Sequence, residues 1–394
     1  MRFHFSTDMS AGGTADAYAL LRKILAELAP GERGIRPQAE RIARELEVKG
    51  ASLWEQLAGE SDYHGVTLLI EPIIAALFRK TQNAAPADVR RAFFALVSRH
   101  RQAAVIRESC VDRLLTAFAA ADIPMILLKG AALAHLIYPT PELRPMVDID
   151  ILIDPAKTEA AIRIAGDLGF TFASRHASKY AKRMHHVPPA VTNQSGFRIF
   201  LEIHTDTMSP YQPYSLTWAT LTARPQPFRR GLGPDGLALG HTDMLRHLAR
   251  HAFEPARQIR LIHLYDIWRY QTIFRDEIDW REIEARFPYV LVVLRLISYV
   301  FPIMPSTTDP TSPACAPCPA GVGHGMAPLS EIASSDISVV AKLSALFGPP
   351  AWWLHGFYGV PLDESLLICQ TIRHPAMVAR WLLTKFFSPV QLPG

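Results

Sequence analysis

The sequence has few cysteines and no long apolar run. Its four cysteines are Cys110, Cys315, Cys318 and Cys369. Four thiols in a chain of 394 residues cannot form a disulfide framework, so we expect a reducing, cytoplasmic compartment. The first residues lack a continuous apolar segment, which argues against a secretory signal peptide. The strongest apolar run, Tyr289–Met304, contains Arg295 and ends among prolines, so it predicts a buried helix and no membrane span.

The chain also has little net charge. Its 41 Lys and Arg residues against 37 Asp and Glu residues give a formal charge of +4. This balance argues against general nucleic-acid binding, which usually requires a concentrated basic stripe. With 49% apolar and 20% charged residues the composition is that of a globular protein, and it excludes wholesale disorder. The length allows two or three domains, each with its own core.

Apolar spacing divides the chain into three regions. Residues 1–120 predict helices, because apolar residues recur at three- and four-residue spacing. Residues 121–215 predict a strand–helix–strand–helix–strand unit, which forms a compact α/β core. Residues 216–394 return to helices, apart from a flexible insertion at 305–328 that is rich in Pro, Ser, Thr, Gly and Ala. We therefore predict an α+β protein, with a small mixed-sheet core flanked by N-terminal and C-terminal helical regions.

The strand predicted at Val147–Ile153 carries two carboxylates on one face. Asp148 and Asp150 are two residues apart, so their side chains leave the same side of a strand. The two negative charges repel each other, and a divalent cation such as Mg²⁺ relieves that repulsion. An Asp-x-Asp pair alone is more often a solvated edge or turn. The apolar residues around this pair argue against a solvated strand and favour a metal site.

A third carboxylate, Glu202, lies in the middle of the apolar strand predicted at Gly196–His204. A lone acid there is unfavourable unless it pairs with an arginine or binds a metal, and both interpretations stay open. Three carboxylates from two strands suit a two-metal site, in which ions about 3.5–4 Å apart activate the attacking hydroxyl and stabilise the leaving phosphate. Lys129 and Gly130 form the turn after the first predicted strand. That turn either binds phosphate or contains glycine for packing alone.

Two stretches of the sequence resemble a known family. Ile126–Ile153 (ILLKGAALAHLIYPTPELRPMVDIDILI) and Glu202-Ile203-His204 resemble the bacterial nucleotidyltransferase family with the pattern LKG…Y…R…DIDLLV…ELHW. That family belongs to the DNA polymerase β-type nucleotidyltransferase superfamily. Trp54 with His64-Gly65-Val66 resembles the helical segment before the core of such proteins, and Leu261–Ile267 resembles the helical segment after it.

The resemblance implies transfer of a nucleoside monophosphate from a nucleoside triphosphate to a hydroxyl or phosphate of a small molecule, sugar or peptide. Members of the family look like tailoring enzymes, and the implied cofactor is Mg²⁺ or Mn²⁺. The implied site residues are the metal ligands Asp148, Asp150 and Glu202, the phosphate-binding pair Lys129 and Gly130, and Arg144, which would contact the triphosphate or the acceptor. The sequence departs from the family pattern at two places. After the first strand it has Lys129-Gly130 where the superfamily usually has Gly-Ser, and after the Glu202-Ile203-His204 triplet it has Thr205 where the family often has Trp. Two alternatives stay open: transfer of a phosphoryl or glycosyl group at the same metal site, and a non-catalytic nucleotide-binding module.

Five further residues are candidates for substrate contact: His204, Arg183, Arg246, Arg250 and Asp266. Arg183 belongs to a basic segment that either folds over the site or is a solvated loop. Arg246 and Arg250, four residues apart on the helix predicted at 241–253, either bind an anionic substrate or form an exposed basic face. Asp266 either contacts substrate or pairs with an arginine.

For three other features, the structural interpretation is simpler than the functional one. Asp266, where it does not contact substrate, is predicted to cap its helix or to pair with Arg260 or Arg269. Cys315 and Cys318 have the spacing of a redox or zinc motif, but no second pair accompanies them, so we interpret them as incidental. The aromatic C-terminal segments predict core residues, with peripheral contact to a membrane or a partner as the alternative.

Overall fold

The structure is a computed structural model. It describes residues 11–28, 42, 50–80, 85–172, 186–207, 218–222, 224–254, 259–301 and 338–387. Arg183, Cys315, Cys318 and the insertion predicted at 305–328 lie outside the described residues. Within the described residues there are fourteen α-helices and one seven-stranded mixed sheet, which confirms the predicted α+β class.

In the described part of the chain before the sheet there are four helices: α1 (Ala11–Glu27), α2 (Ala51–Tyr63), α3 (Thr67–Lys80) and α4 (Ala87–Ala120). The longest, α4, buries Phe93, Val111 and Leu114 among other apolar residues. The three- and four-residue spacing of its apolar side chains places them on one side of the helix, and they pack into the main hydrophobic core.

Seven strands form the sheet: β1 (Ile126–Leu127), β2 (Asp148–Leu152), β3 (Thr171–Phe172), β4 (Ala190–Gln194), β5 (Phe197–His204), β6 (Gln226–Phe228) and β7 (Gly236–Ala238). Their order across the sheet is β3-β4-β5-β2-β1-β7-β6. β2 runs parallel to β5, β1 runs parallel to β7, and the other neighbouring pairs are antiparallel. The sequence predicts β1, β2 and β5. It does not predict the other four, because three of them have only two or three residues and β4 is largely polar.

Ten helices of the described residues accompany or follow the strands: α5 (Lys129–Leu136), α6 (Thr158–Asp167), α7 (Trp218–Leu221), α8 (His241–Ala252), α9 (Leu261–Ile273), α10 (Trp280–Arg286), α11 (Tyr289–Ser298), α12 (Val339–Phe347), α13 (Ala351–Tyr358) and α14 (His374–Phe387). Short 3₁₀ turns at Pro141–Leu143 and Pro155–Lys157 flank β2, and a π-helical turn, Cys369–Arg373, precedes α14. Among the helices described, none combines the length and the apolar character needed to cross a bilayer. Trp352, Trp353 and Phe357 of α13 are buried in the core, as the core interpretation predicts for the first C-terminal aromatic segment, whereas Trp381 of α14 is only half-buried.

The sheet brings three chain segments to one edge. β1 and β7 are parallel, with Ile126 opposite Leu237, so their carboxyl ends point the same way. β2 runs antiparallel to β1 and therefore begins at that edge. The edge holds the turn from β1 into α5, the Asp148–Asp150 pair of β2, and the start of α8 after β7.

Candidate metal and nucleotide site

Asp150, Glu202 and His204 form a compact acid–imidazole group. Their ligand atoms all lie within 4.8 Å of one another. Asp150 is opposite Glu202 in the parallel pairing of β2 with β5, and His204 follows two residues later on the same face. Nε2 of His204 lies 2.8 Å from Oδ1 of Asp150 and 3.5 Å from Oε2 of Glu202. Two carboxylates and an imidazole at these separations can hold a divalent cation.

Asp148 lies on the same face of β2 but is not a member of this group. It is half-buried at the start of the strand and interacts electrostatically with Arg107 and Arg144. Asp148 as a metal ligand therefore stays a prediction. His204, which the sequence suggested only as a substrate contact, lies among the candidate ligands, because the parallel register places its ring beside Asp150.

Lys129 supplies a cation inside the site. Its Nζ lies 2.6 Å from Oδ1 of Asp150, and both side chains are buried. The backbone of Lys129 has a φ of 45°, in the left-handed region that non-glycine residues avoid by about 1–2 kcal/mol. The structure shows Lys129 bound to a carboxylate, and its contact with phosphate stays a prediction.

The surrounding charges shift the pKa values of Asp150 and His204. Burial raises the pKa of Asp150, but the Lys129 ammonium and the hydrogen bond with His204 outweigh burial and hold that pKa at about 2. Burial and the Lys129 charge lower the pKa of His204, but its hydrogen bonds with Asp150 and Glu202 raise that pKa by more. The net effect is a pKa above the usual value for histidine. Asp150 is therefore ionised at neutral pH, as a metal ligand must be.

Arg144 packs over Gly130 at the turn that follows β1. A Cβ atom added to Gly130 would lie 3.2 Å from Cβ of Met146 and 3.4 Å from Nη1 of Arg144. Glycine is therefore favoured here by packing, which was the simpler of the two interpretations. Phosphate binding by this turn stays a prediction.

Asp266 holds Arg144 in place. Nε of Arg144 donates to both carboxylate oxygens of Asp266 at 2.9 Å, and Tyr138 donates its hydroxyl hydrogen to the same carboxylate at 2.6 Å. The predicted pairing of Asp266 with Arg260 or Arg269 is wrong. Arg269 instead donates to the carbonyl of Ile137. Arg144 and Asp266 thus contact each other beside the site, and their contacts with substrate stay predictions.

Arg246 and Arg250 do not form an exposed basic face on α8. The two residues are 0% and 2% exposed, because α11 and α13 cover this side of α8. Arg246 pairs with Asp243 at 3.0 Å. Arg250 donates to the carbonyl of Phe357, and its guanidinium lies 3.8 Å from the ring centroid of Tyr289. Arg246 pairs within α8 itself, whereas Arg250 fastens α8 to α11 and α13. No sequence spacing indicates the distant partners of Arg250.

Two further histidines lie near the group. His186 belongs to the predicted basic segment, whose other basic residues lie outside the described residues. Its ring centroid is 5.6 Å from that of His204. His247 of α8 is buried, and the charges of Lys129, His204 and Asp150 act on its ring. His247 is not among the site residues predicted from the sequence, whose spacing places it beside Arg246 and Arg250 on α8.

A family model described as an uncharacterised nucleotidyltransferase matches residues 51–288, which is more than half of the chain. The chain therefore belongs to this nucleotidyltransferase family. The matched range contains all the strands described above, the acid–imidazole group and α8. No curated protein and no solved structure matches the chain.

Proposed function

We propose that this protein is a divalent-metal-dependent nucleotidyltransferase. It would move a nucleoside monophosphate from a nucleoside triphosphate to a hydroxyl or phosphate of a small molecule, sugar or peptide. The observation that carries the proposal is the convergence of Asp150, Glu202 and His204 in a chain of this family. Asp148, on the same face of β2, is proposed as an additional carboxylate ligand.

The donor set fits a divalent cation. Asp150 is ionised, and Glu202 keeps 15% of its side chain exposed, so the group is open to solvent on the Glu202 side. Carboxylate oxygens suit Mg²⁺, whereas the imidazole of His204 also suits Mn²⁺ and other transition metals. When bound, the cation would neutralise phosphate charge and lower the pKa of an attacking hydroxyl.

The chain's own residues contribute mainly by positioning. The paired strands β2 and β5 fix Asp150 and Glu202 side by side, and Lys129 adds a positive charge beside them. Arg144, held by Asp266, keeps the Gly130 turn in place at the same edge. A rigid arrangement of this kind favours the reaction by holding the triphosphate and the acceptor in line, with charges already oriented toward them.

A thermal-shift panel tests the proposal. Wild-type protein, Glu202→Gln and the control Asp235→Asn are each heated with ATP, CTP, GTP or UTP in the presence of Mg²⁺ or Mn²⁺. Asp235 is an exposed residue whose partner is Arg229. We expect at least one triphosphate to raise the Tm of the wild type and of Asp235→Asn, and to raise that of Glu202→Gln much less. Equal responses in all three proteins, or none in the wild type, would count against the site.

The mass of the product separates the proposed reaction from its alternatives. Incubation with the stabilising triphosphate and a panel of hydroxyl and phosphate acceptors should yield an acceptor heavier by one nucleoside monophosphate, together with pyrophosphate. An increment of a single phosphate or a hexose would identify a different transferase. Stabilisation by the triphosphate without any product would favour a nucleotide-binding module.

A further inference from the structure

His247 is a buried residue without a hydrogen-bond partner among the described residues. Its exposed fraction is 2%, and neither Nδ1 nor Nε2 has a partner there. An unsatisfied buried polar atom destabilises a folded protein by about 1–3 kcal/mol. A histidine in this position is therefore worse for stability than an apolar side chain of similar size, which points to a role with a ligand.

The chain order and the electrostatic interactions of His247 connect it with the candidate site. β7 ends at the same edge of the sheet as β1, and α8 begins directly after it at His241. His247 is six residues further along α8, which corresponds to about 9 Å of helix rise. The charges that act most strongly on its ring are those of Lys129 and His204, followed by that of Asp150. His247 thus belongs to the surroundings of the acid–imidazole group.

α8 holds His247 in a fixed position. Tyr289 of α11 donates its hydroxyl hydrogen to the carbonyl of Arg246 at 3.0 Å. Near the start of the helix, the backbone N–H of Asp279 donates to the hydroxyl of Thr242 at 2.9 Å. A side chain presented from such an anchored helix keeps its geometry without a local hydrogen bond, as a binding residue requires.

We propose that His247 contacts the substrate, with its ring N–H donating a hydrogen bond to a phosphate oxygen of the bound nucleoside triphosphate. This assignment rests on the proposed function. Burial, Lys129 and His204 together lower the pKa of His247 well below its ordinary value, so the ring is neutral at pH 7. A neutral imidazole offers one donor and one acceptor, and an anionic oxygen beside Lys129 matches the donor.

Two substitutions and a control test this assignment. His247→Leu removes both nitrogens at similar volume, and His247→Gln keeps a donor and an acceptor. The control is His241→Leu on the same helix, where Nδ1 lies 3.1 Å from the hydroxyl of Tyr270. For each protein we would measure the Tm without ligand, the Kd for Mn²⁺ alone, and the Kd for the triphosphate that stabilises the wild type most, in the presence of Mn²⁺.

We expect His247→Leu to raise the triphosphate Kd at least tenfold, with a Tm equal to or above that of the wild type and an unchanged Kd for Mn²⁺. His247→Gln should lose less affinity, and His241→Leu should bind the triphosphate like the wild type. Three results for His247→Leu would overturn this assignment but not the proposed function: triphosphate binding like that of the wild type, a lower Tm, or a loss of Mn²⁺ affinity as large as the loss of triphosphate affinity. A wild type that binds no triphosphate would overturn the proposed function together with this assignment.

Discussion

Gly130, the second residue of α5, packs against the guanidinium of Arg144. An added methyl group would lie 3.4 Å from Nη1 of Arg144, which cannot move away freely because Asp266 holds it. We predict that Gly130→Ala lowers the free energy of unfolding by about 1–3 kcal/mol through overpacking. Urea unfolding at pH 7 measures the change.

The matched control for this substitution is Gly166→Ala in α6. Nothing lies within 4 Å of a Cβ added to Gly166. Since alanine is a better helix former than glycine, this variant should be more stable than the wild type by about 0.5–1 kcal/mol. If Gly130→Ala also gained stability, Arg144 would not constrain the turn in the way described here.

Asp266 is paired with Arg144, with Nη2 of the arginine 2.7 Å from Oδ2 of the carboxylate. Asp266→Asn should lower the free energy of unfolding by about 3–5 kcal/mol, because it removes the hydrogen-bonded counter-charge of the buried guanidinium. Tyr138→Phe removes one hydrogen bond to the same carboxylate and should lower it by about 1–2 kcal/mol. Urea unfolding of both variants checks this order. A larger loss in Tyr138→Phe than in Asp266→Asn would contradict the assigned contacts.

At the scale of secondary structure, the periodicity of α8 predicts the helix but not the environment of its charged side. The apolar spacing around Leu245 and Leu248 identifies the core face correctly, since both residues are buried. The opposite side is covered by elements that follow much later in the chain, among them Phe357 of α13. Amphipathic spacing therefore cannot show that Arg246 and Arg250 are buried.

An ion-pair cluster joins α4 to the segment between β6 and β7. Arg230 donates to Glu108 and to Asp112 of α4, each at 2.6 Å, and its side chain is 1% exposed. Burial raises the pKa of Glu108, but the hydrogen bond with His135 and the charge of Arg230 outweigh burial and lower that pKa below its usual value. The cluster therefore stabilises the fold only while Glu108 is ionised.

The pH dependence of this cluster follows from the lowered pKa. A carboxylate of this kind contributes its full stabilisation above the unfolded-state pKa of about 4.3, and loses it as pH falls through the folded-state pKa. We predict that Glu108→Gln lowers the free energy of unfolding by about 2 kcal/mol at pH 7, and that the difference from the wild type shrinks below pH 4. Urea unfolding at pH 7, 5 and 3.5 measures it. A difference that is constant or grows on acidification would contradict the pairing.

At the scale of the whole molecule, the sequence predicts the centre of the sheet better than its edges. β2 and β5 carry long apolar runs, so their existence follows from composition and length. The edge strands β3 and β6 are too short to show alternation, and their pairing depends on contacts with β4 and β7. The order of the strands also requires long-range pairings that no local pattern specifies.

The candidate site was also predictable only in part. Asp150 and Glu202 follow from isolated carboxylates within apolar strands, and the structure brings them together. The roles of His204 and Lys129 depend on which strand lies beside β2, which spacing does not show. His247 lies on a distant helix, so only the folded chain indicates its place near the group.

The measurement that tests the central claim most directly is a titration of the protein with Mn²⁺, followed by electron paramagnetic resonance of the free ion. Wild type and Asp235→Asn should bind Mn²⁺ at a saturable site, and Glu202→Gln should bind it at least tenfold more weakly while remaining folded. Addition of the stabilising triphosphate should tighten Mn²⁺ binding in the first two proteins. Equal Mn²⁺ affinity in wild type and Glu202→Gln would contradict a cation held by Asp150, Glu202 and His204.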